Sequence, residues 1–375
     1  MGWTEARGSR YVARYRDAGQ VITVGGFPTK AATRAYLSTV DTDRARGTHV
    51  DPRGGQVPFC DWAADWIEAR PGVKPRTAAT DTGRLKVHLS PAFGRMTLGR
   101  ITQMAVRKWV AHLLAEGLAP KTVRNCHGLM HTIMRDAVTE GLIGRNPCVG
   151  TPMPEVVRRE MRFLTEPELA RLVAAVPEHH RPLVLTLAGT GLRWGEAAGL
   201  RAGRVDVLAG FLTVAGKDGA LHESGGKLTY GTPKSKKSAR RVSLPAAVRE
   251  ALVPLVAAKE PSDPVFTTES GALLRRGNFA RRVWKPAVEG AGLPAGLRMH
   301  DLRHTHAAWL ISAGRPLTAV QRRLGHASIV VTSDIYGHLL PEVDEAMLAT
   351  LDAAMPTVCP PGLVPAPPAG ERHPS

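Results

Sequence analysis

The sequence predicts a multidomain protein, mainly α with small β. A sheet-plus-helix unit is expected at 1–50, a four-helix unit at 56–140 and a mixed α+β unit at 160–350, with a disordered proline-rich tail at 356–375. Three observations carry this prediction. A chain of 375 residues exceeds one ordinary hydrophobic core. Apolar residues recur at three and four spacing between 59 and 137, but alternate near the N-terminus and again between 204 and 245. Proline and glycine gather in THVDPRGGQVP (48–58), in the crossing 141–165 and in CPPGLVPAPPAGERHPS (359–375).

Each element has a local reason. RYVARYRD (10–17) alternates polar and apolar like a half-buried strand, and QVITVGGF (20–27) follows across Asp17-Ala18-Gly19. Thr29 is placed to cap a helix through KAATRAYLSTVDTDRARG. Arg7, Arg10, Arg14 and Arg16 fall near this sheet, either to meet phosphates or as a solvated face. Four short helices are expected in FCDWAADWIEAR, PRTAATDTGRLKVHLSPAF, TQMAVRKWVAHLLAEG and APKTVRNCHGLMHTIMRDAVTEG. Arg158, Arg159 and Arg162 lie in the crossing that follows, and a further helix is capped at Thr165 with Glu168 three residues on. PLVLTLA (182–188) reads as a core-facing helix running into GTGLRWGEAAGL. RVDVLAGFLTVAG and KLTYGTPKSKKSARRVSLP read as strands, with the lysine run on a polar hairpin tip.

The formal net charge of +17 favours a polyanionic partner, nucleic acid before membrane, since no apolar run of about 18 residues is present. Cys60, Cys126, Cys148 and Cys359 form no CxxC pair, and the N-terminus carries no secretory pattern, so reduced packing thiols and a cytoplasmic location are expected.

Four separated pieces belong together: GLRWGE with Arg193 and Glu196, TPKSKKSARRV with Lys234, MHDLRHTHA with His300 and Arg303, and RRLGHASIVVTSDIYGHLLPE with His326 and Tyr336. Buried charge such as Arg193 is costly unless it is paired or meets an anion. The order of the four pieces resembles the catalytic set of the tyrosine recombinases, the phage-integrase family, and the DNA-strand transesterification that this resemblance implies needs an attached nucleophile, cationic groups on the non-bridging oxygens and a proton for the leaving 5′ oxygen. Arginine forks suit a phosphate, so Arg193 and Arg303 would clamp one, with Glu196 orienting Arg193 from one turn away. Tyr336 is the candidate nucleophile; a phenol with a reference pKa of about 10 needs the cationic neighbours that His300, His326 and the arginines supply. His304 and His306 complete HDLRHTH at spacings that could hold zinc, but a phosphate already met by two arginines and a lysine has no need of a cation, and neither metal nor cofactor is expected.

In its order of Arg, Lys, His-x-x-Arg, His and Tyr the sequence resembles the tyrosine recombinases, the phage-integrase family, over about residues 160 to 345. The resemblance implies a catalytic domain there, a core-binding, SAM-like helical domain at 56–140 and an arm-binding-like domain at 1–50. It implies a site-specific recombinase that forms a 3′-phosphotyrosyl intermediate at Tyr336, with Lys234 as general acid because the family commonly carries TPKT; Lys236 and Lys237 remain rivals. Double-stranded DNA attachment sites, a homotetramer on DNA and integration or excision of a phage or mobile element are implied, with room for an accessory directionality or DNA-bending protein. A non-catalytic regulator on a decayed recombinase fold and a type IB topoisomerase-like relaxing enzyme are the alternatives.

Overall fold

A computed structural model describes residues 2–17, 19–45, 49, 53–157, 161–326 and 328. Tyr336, the helix expected after it, Cys359 and the tail lie outside the described residues, as do Arg158 and Arg159. The chain divides into two compact units, Met1–Arg159 and Glu160–Ser375.

The first unit opens with an antiparallel meander, β1 (Trp3–Arg7), β2 (Arg10–Asp17) and β3 (Gln20–Phe27). The last two are the strands the alternation predicts. β1 was not expected, because WTEAR is short and mostly solvent-facing; it forms by pairing with β2 from Trp3 opposite Arg14 to Arg7 opposite Arg10. Helix α1 (Lys30–Ala45) starts where Thr29 accepts a hydrogen bond from the Ala32 amide at 3.1 Å, and lays Leu37 and Val40 on Ala13, Tyr15 and Ile22.

Helices α2 (Phe59–Glu68), α3 (Pro75–Arg84), α4 (Ser90–Phe93), α5 (Gln103–Ala115) and α6 (Pro120–Thr139) follow. A π-helical turn, Leu85–Leu89, joins α3 to α4, so the second expected helix is one interrupted run. The sequence reading of four short helices is corrected for α6, which is 20 residues long because its apolar stripe from Val123 to Ala137 is unbroken. Indole N–H groups tie these helices together: Trp66 donates to Asp136 at 2.7 Å, Trp62 to the Ile133 carbonyl at 3.1 Å and Trp109 to the His88 carbonyl at 3.0 Å. Their common core includes Phe59, Leu89, Val106, Met130 and Ile133.

In the second unit α7 (Glu166–Ala175) begins with the expected reciprocal cap between Thr165 and Glu168. Then come α8 (Arg181–Thr190), α9 (Trp194–Ala198), the strands β4 (Val205–Asp206), β5 (Phe211–Val214), β6 (Ala220–Ser224), β7 (Lys227–Gly231) and β8 (Arg240–Ser243), and α10 (Ala246–Ala257). Helices α11 (Arg276–Phe279) and α12 (Lys285–Gly290), joined by a second π-helical turn at Ala280–Trp284, precede α13 (Met299–Ser312) and α14 (Leu317–Leu324). Leu183, Leu187, Leu212, Val242, Leu252 and Leu302 lie in one core under α8, the sheet and α13.

Two expectations change here. PLVLTLA does not run on through Arg193: α8 stops at Thr190, and Arg193 caps a separate helix. The lysine run is not a hairpin tip either. The hairpin is β6–β7, turning at Gly225 and Gly226, whereas TPKSKKSA is the crossing from β7 to β8, which lies in another sheet, ordered β4-β5-β8. The strand alternation in this region is real, but periodicity alone does not say which strands pair.

Candidate active site

The site begins with the way α8 ends. Gly191 takes φ +65°, the left-handed region that favours glycine, and a Cβ there would lie 2.8 Å from side-chain atoms of both His306 and Leu324. The chain therefore turns between α13 and α14 as closely as a backbone can. Two residues on, Arg193 is extended and caps α9, its amide donating to Glu196 Oε2 at 3.1 Å.

Glu196 is 3% exposed and sits between two guanidiniums. Arg193 Nη1 donates to its Oε1 at 2.8 Å and Arg240 Nη2 to its Oε2 at 3.1 Å. Burial alone would raise its pKa, but the charges of Arg240 and Arg193 and their hydrogen bonds outweigh burial and hold it below the usual carboxylate range. One carboxylate against two guanidiniums leaves a net positive centre.

From Glu196 the fork of Arg193 reaches on to Ser238 Oγ at 3.2 Å and to the Gly325 carbonyl at 3.3 Å. Arg303, on α13, donates to the Gly191 carbonyl and, through Nη2, to the Leu324 carbonyl at 2.6 Å. The two arginines, 110 positions apart in sequence, thus meet consecutive carbonyls at the end of α14. Their exposure differs: Arg303 is 2% exposed, whereas the Arg193 side chain keeps 22%.

Both expected histidines border this pair. His326 follows Gly325, whose left-handed φ of +67° ends α14, and the His326 amide donates to the Gln321 carbonyl at 3.2 Å. Its imidazole is pushed down to about 3, by burial first and then by Arg303 and Arg193. His300 lies one turn before Arg303 on α13, with its ring 4.9 Å from that of His304 and nearly perpendicular to it. Its imidazole is pushed down to about 4, by loss of hydration first and then by His304 and Arg303. Both rings are neutral at pH 7.

His306 points elsewhere. Its Nε2 takes a hydrogen bond from Arg323 Nε at 2.9 Å, and since a guanidinium only donates, Nδ1 carries the proton and donates to the Ala188 carbonyl at 2.9 Å. Both nitrogens are engaged, and among the described residues no three ligating side chains gather.

The lysine-bearing crossing is fastened beside the arginines. Ser235 and Ser238 hydroxyls are 3.1 Å apart, Ser238 meets Arg193, and Gly325 fits so tightly that a Cβ would lie 3.1 Å from the Lys237 carbonyl oxygen and from Ser238 Cα. Lys234 and Lys237 are exposed at its two ends.

Sequence reasoning missed Arg240, Ser238 and Arg323. Arg240 Nε donates to the Arg323 carbonyl at 2.6 Å and Nη1 to the Ser238 carbonyl at 2.8 Å, with only 7% of its side chain exposed. A signal for it exists: along β8, Arg240 shares the inward phase with the buried Val242, while Arg241 and Ser243 face out.

Paired guanidiniums thus meet around one loop of a mixed α+β unit, next to two neutral imidazoles. The chain belongs to the phage integrase family: residues 162–342 match that family and 59–151 match the phage integrase central domain. It is a tyrosine site-specific recombinase. The prophage phiRv2 integrase named in Mycobacterium tuberculosis is 31% identical over 344 residues, 85% of this chain and 86% of that one. The ICEBs1 integrase of Bacillus subtilis is 28% identical over 282 residues, 71% and 74% of the two chains. Among solved structures, the Tn1549 transposon integrase in complex with a circular intermediate DNA superposes with a TM-score of 0.68 at 19% identity, covering 80% of this chain and 99% of that one. A lambda integrase dimer bound to a core site gives 0.57 at 18% identity, covering 88% and 93%. These likenesses are of fold.

Proposed function

We propose that this recombinase cuts and rejoins double-stranded DNA attachment sites to integrate or excise a phage or other mobile element, with Arg193, Lys234, His300, Arg303, His326 and Tyr336 as the reacting set and Glu196 in support. The observation that carries this reading is the meeting of Arg193 and Arg303 on the consecutive carbonyls of Leu324 and Gly325, with His326 next in the chain. Residues 1–50 would serve as an arm-type DNA-binding domain, 56–140 as the core-binding domain and 160–350 as the catalytic domain. A lambda integrase tetramer has been solved on a Holliday junction, which supports a homotetramer of this chain on DNA. An accessory protein that bends DNA or sets direction is a further partner in this reading.

The chemistry follows from the groups. Tyr336 passes its phenolic proton to a neutral imidazole, His300 or His326, as its Oη attacks the scissile phosphorus; the bond to O5′ breaks, and the lysine ammonium, Lys234 in this assignment, gives its proton to the leaving oxygen. Arg193, the more exposed fork, meets the non-bridging oxygens, and Arg303 holds the positive field from beneath. His300 and His326, neutral beforehand, accept or donate hydrogen bonds at the phosphate; its negative charge offsets the arginines that depress them. A 5′ hydroxyl from the partner duplex then attacks the phosphotyrosine, so one ester replaces another without an external energy source.

Covalent capture tests this. Duplexes carrying a randomised segment and a nick are incubated with the full chain, and protein-linked DNA is recovered after denaturation and sequenced. Wild type should enrich one sequence joined through a 3′ phosphate, and Tyr336→Phe should recover none. Adducts formed by Tyr336→Phe would overturn the nucleophile, and no capture by wild type would overturn the function.

A further inference from the structure

Arg240 belongs to none of the motifs that define the reacting set, yet its guanidinium is held at three points beside it. Its three nitrogens go to three separate stretches of chain: Nη2 to Glu196 on α9 at 3.1 Å, Nη1 to the Ser238 carbonyl in the lysine-bearing crossing at 2.8 Å, and Nε to the Arg323 carbonyl at the end of α14 at 2.6 Å. Those stretches carry, in order, the partner of Arg193, the lysines, and the residues leading to His326. A planar guanidinium holds its donors at fixed mutual angles, so three simultaneous bonds fix the relative placement of all three acceptors.

We infer that Arg240 is a positioning residue that registers the lysine-bearing crossing against the phosphate arginines, so that the general acid faces the leaving 5′ oxygen. This rests on the proposed strand-cleavage reading, and it holds for whichever lysine of that crossing gives the proton. It predicts a particular kind of defect. An ammonium in place of the guanidinium keeps the charge beside Glu196 but cannot span three acceptors, so cleavage should fail at proton delivery while phosphate binding survives.

The leaving group separates these possibilities. When sulfur replaces O5′ at the scissile position, the P–S bond breaks to give a thiolate that departs with its electron pair and needs no proton. The duplex captured by wild type is synthesised with oxygen or with sulfur at that position. Single-turnover adduct formation is then measured with wild type, Arg240→Lys and Arg240→Ala, alongside binding to the same duplex. Arg240→Lys is expected to bind like wild type, to cleave the oxygen duplex on the order of 100-fold more slowly, as loss of general acid help implies, and to cleave the sulfur duplex near the wild-type rate. Equal slowing on both duplexes, loss of binding, or an unchanged rate on oxygen would each overturn the inference. Arg240→Ala should show the same pattern if it folds, and Arg240→Lys decides the matter if it does not. A Tyr336→Phe control run beside them fails or succeeds independently, which keeps an error in the nucleophile distinct from an error about Arg240.

Discussion

At Glu196 a single carboxylate, 3% exposed, keeps two arginines apart and in place. Removing one partner of a buried ion pair leaves charge without compensation, typically at a cost of about 3–5 kcal/mol. Glu196→Gln is therefore expected to lower the thermal midpoint and to reduce adduct formation at least tenfold; retention of both values would show that the carboxylate charge is dispensable. His306 gives a second expectation. It is buried and pushed down to about 4 by burial first and Arg323 second, whereas the unfolded ring titrates near 6.5. Between those values the unfolded chain binds the extra proton, so stability rises with pH through this window and is lost as pH falls. From pH 7 to pH 5 the loss assigned to this residue is on the order of 2 kcal/mol. Denaturant midpoints against pH should show this slope, and His306→Asn should flatten it.

Among the elements, those that sequence periodicity foretells are the ones whose contacts are local or one-sided. The stripe of α6, the cap of α7 and the alternation of β2 and β3 could all be read in this way. β1 could not, because its stability comes from a partner strand and not from its own pattern. The pairing of the short strands around the lysine crossing was equally hidden. In the site, Arg193, Glu196, His300, Arg303 and His326 were legible from motif order, and the structure gathers them at the α14 end. Arg240, Ser238 and Arg323 were not, since most of their bonds go to backbone carbonyls and to partners distant in sequence, and only the inward phase of Arg240 along β8 left a trace. The left-handed turns at Gly191 and Gly325 make that gathering possible. Gly191 combines a left-handed φ with a Cβ position 2.8 Å from two side chains. Gly191→Ala should therefore lose more than the roughly 1–3 kcal/mol of backbone strain alone, measured by denaturant unfolding. A neutral result would mean that α13 and α14 can draw back from α8.

For the whole molecule, charge is the governing property. A formal net charge of +17 predicts affinity for duplex DNA dominated by phosphate contacts. Raising salt from about 50 to 200 mM should weaken binding to a non-specific duplex by roughly a thousandfold or more, if six or more phosphates are engaged. Fluorescence anisotropy reads this directly, and a flat salt response would be incompatible with it. Among the described residues no helix is long and apolar enough to cross a membrane.

Every described side chain of the reacting cluster comes from the unit that begins at Glu160, and none from the unit before it. The cutting apparatus and the parts proposed to choose where it lands are thus inherited as consecutive stretches of one gene. A lineage could change its destination by exchanging the front of the gene, while the catalytic end passes unaltered into the new combination.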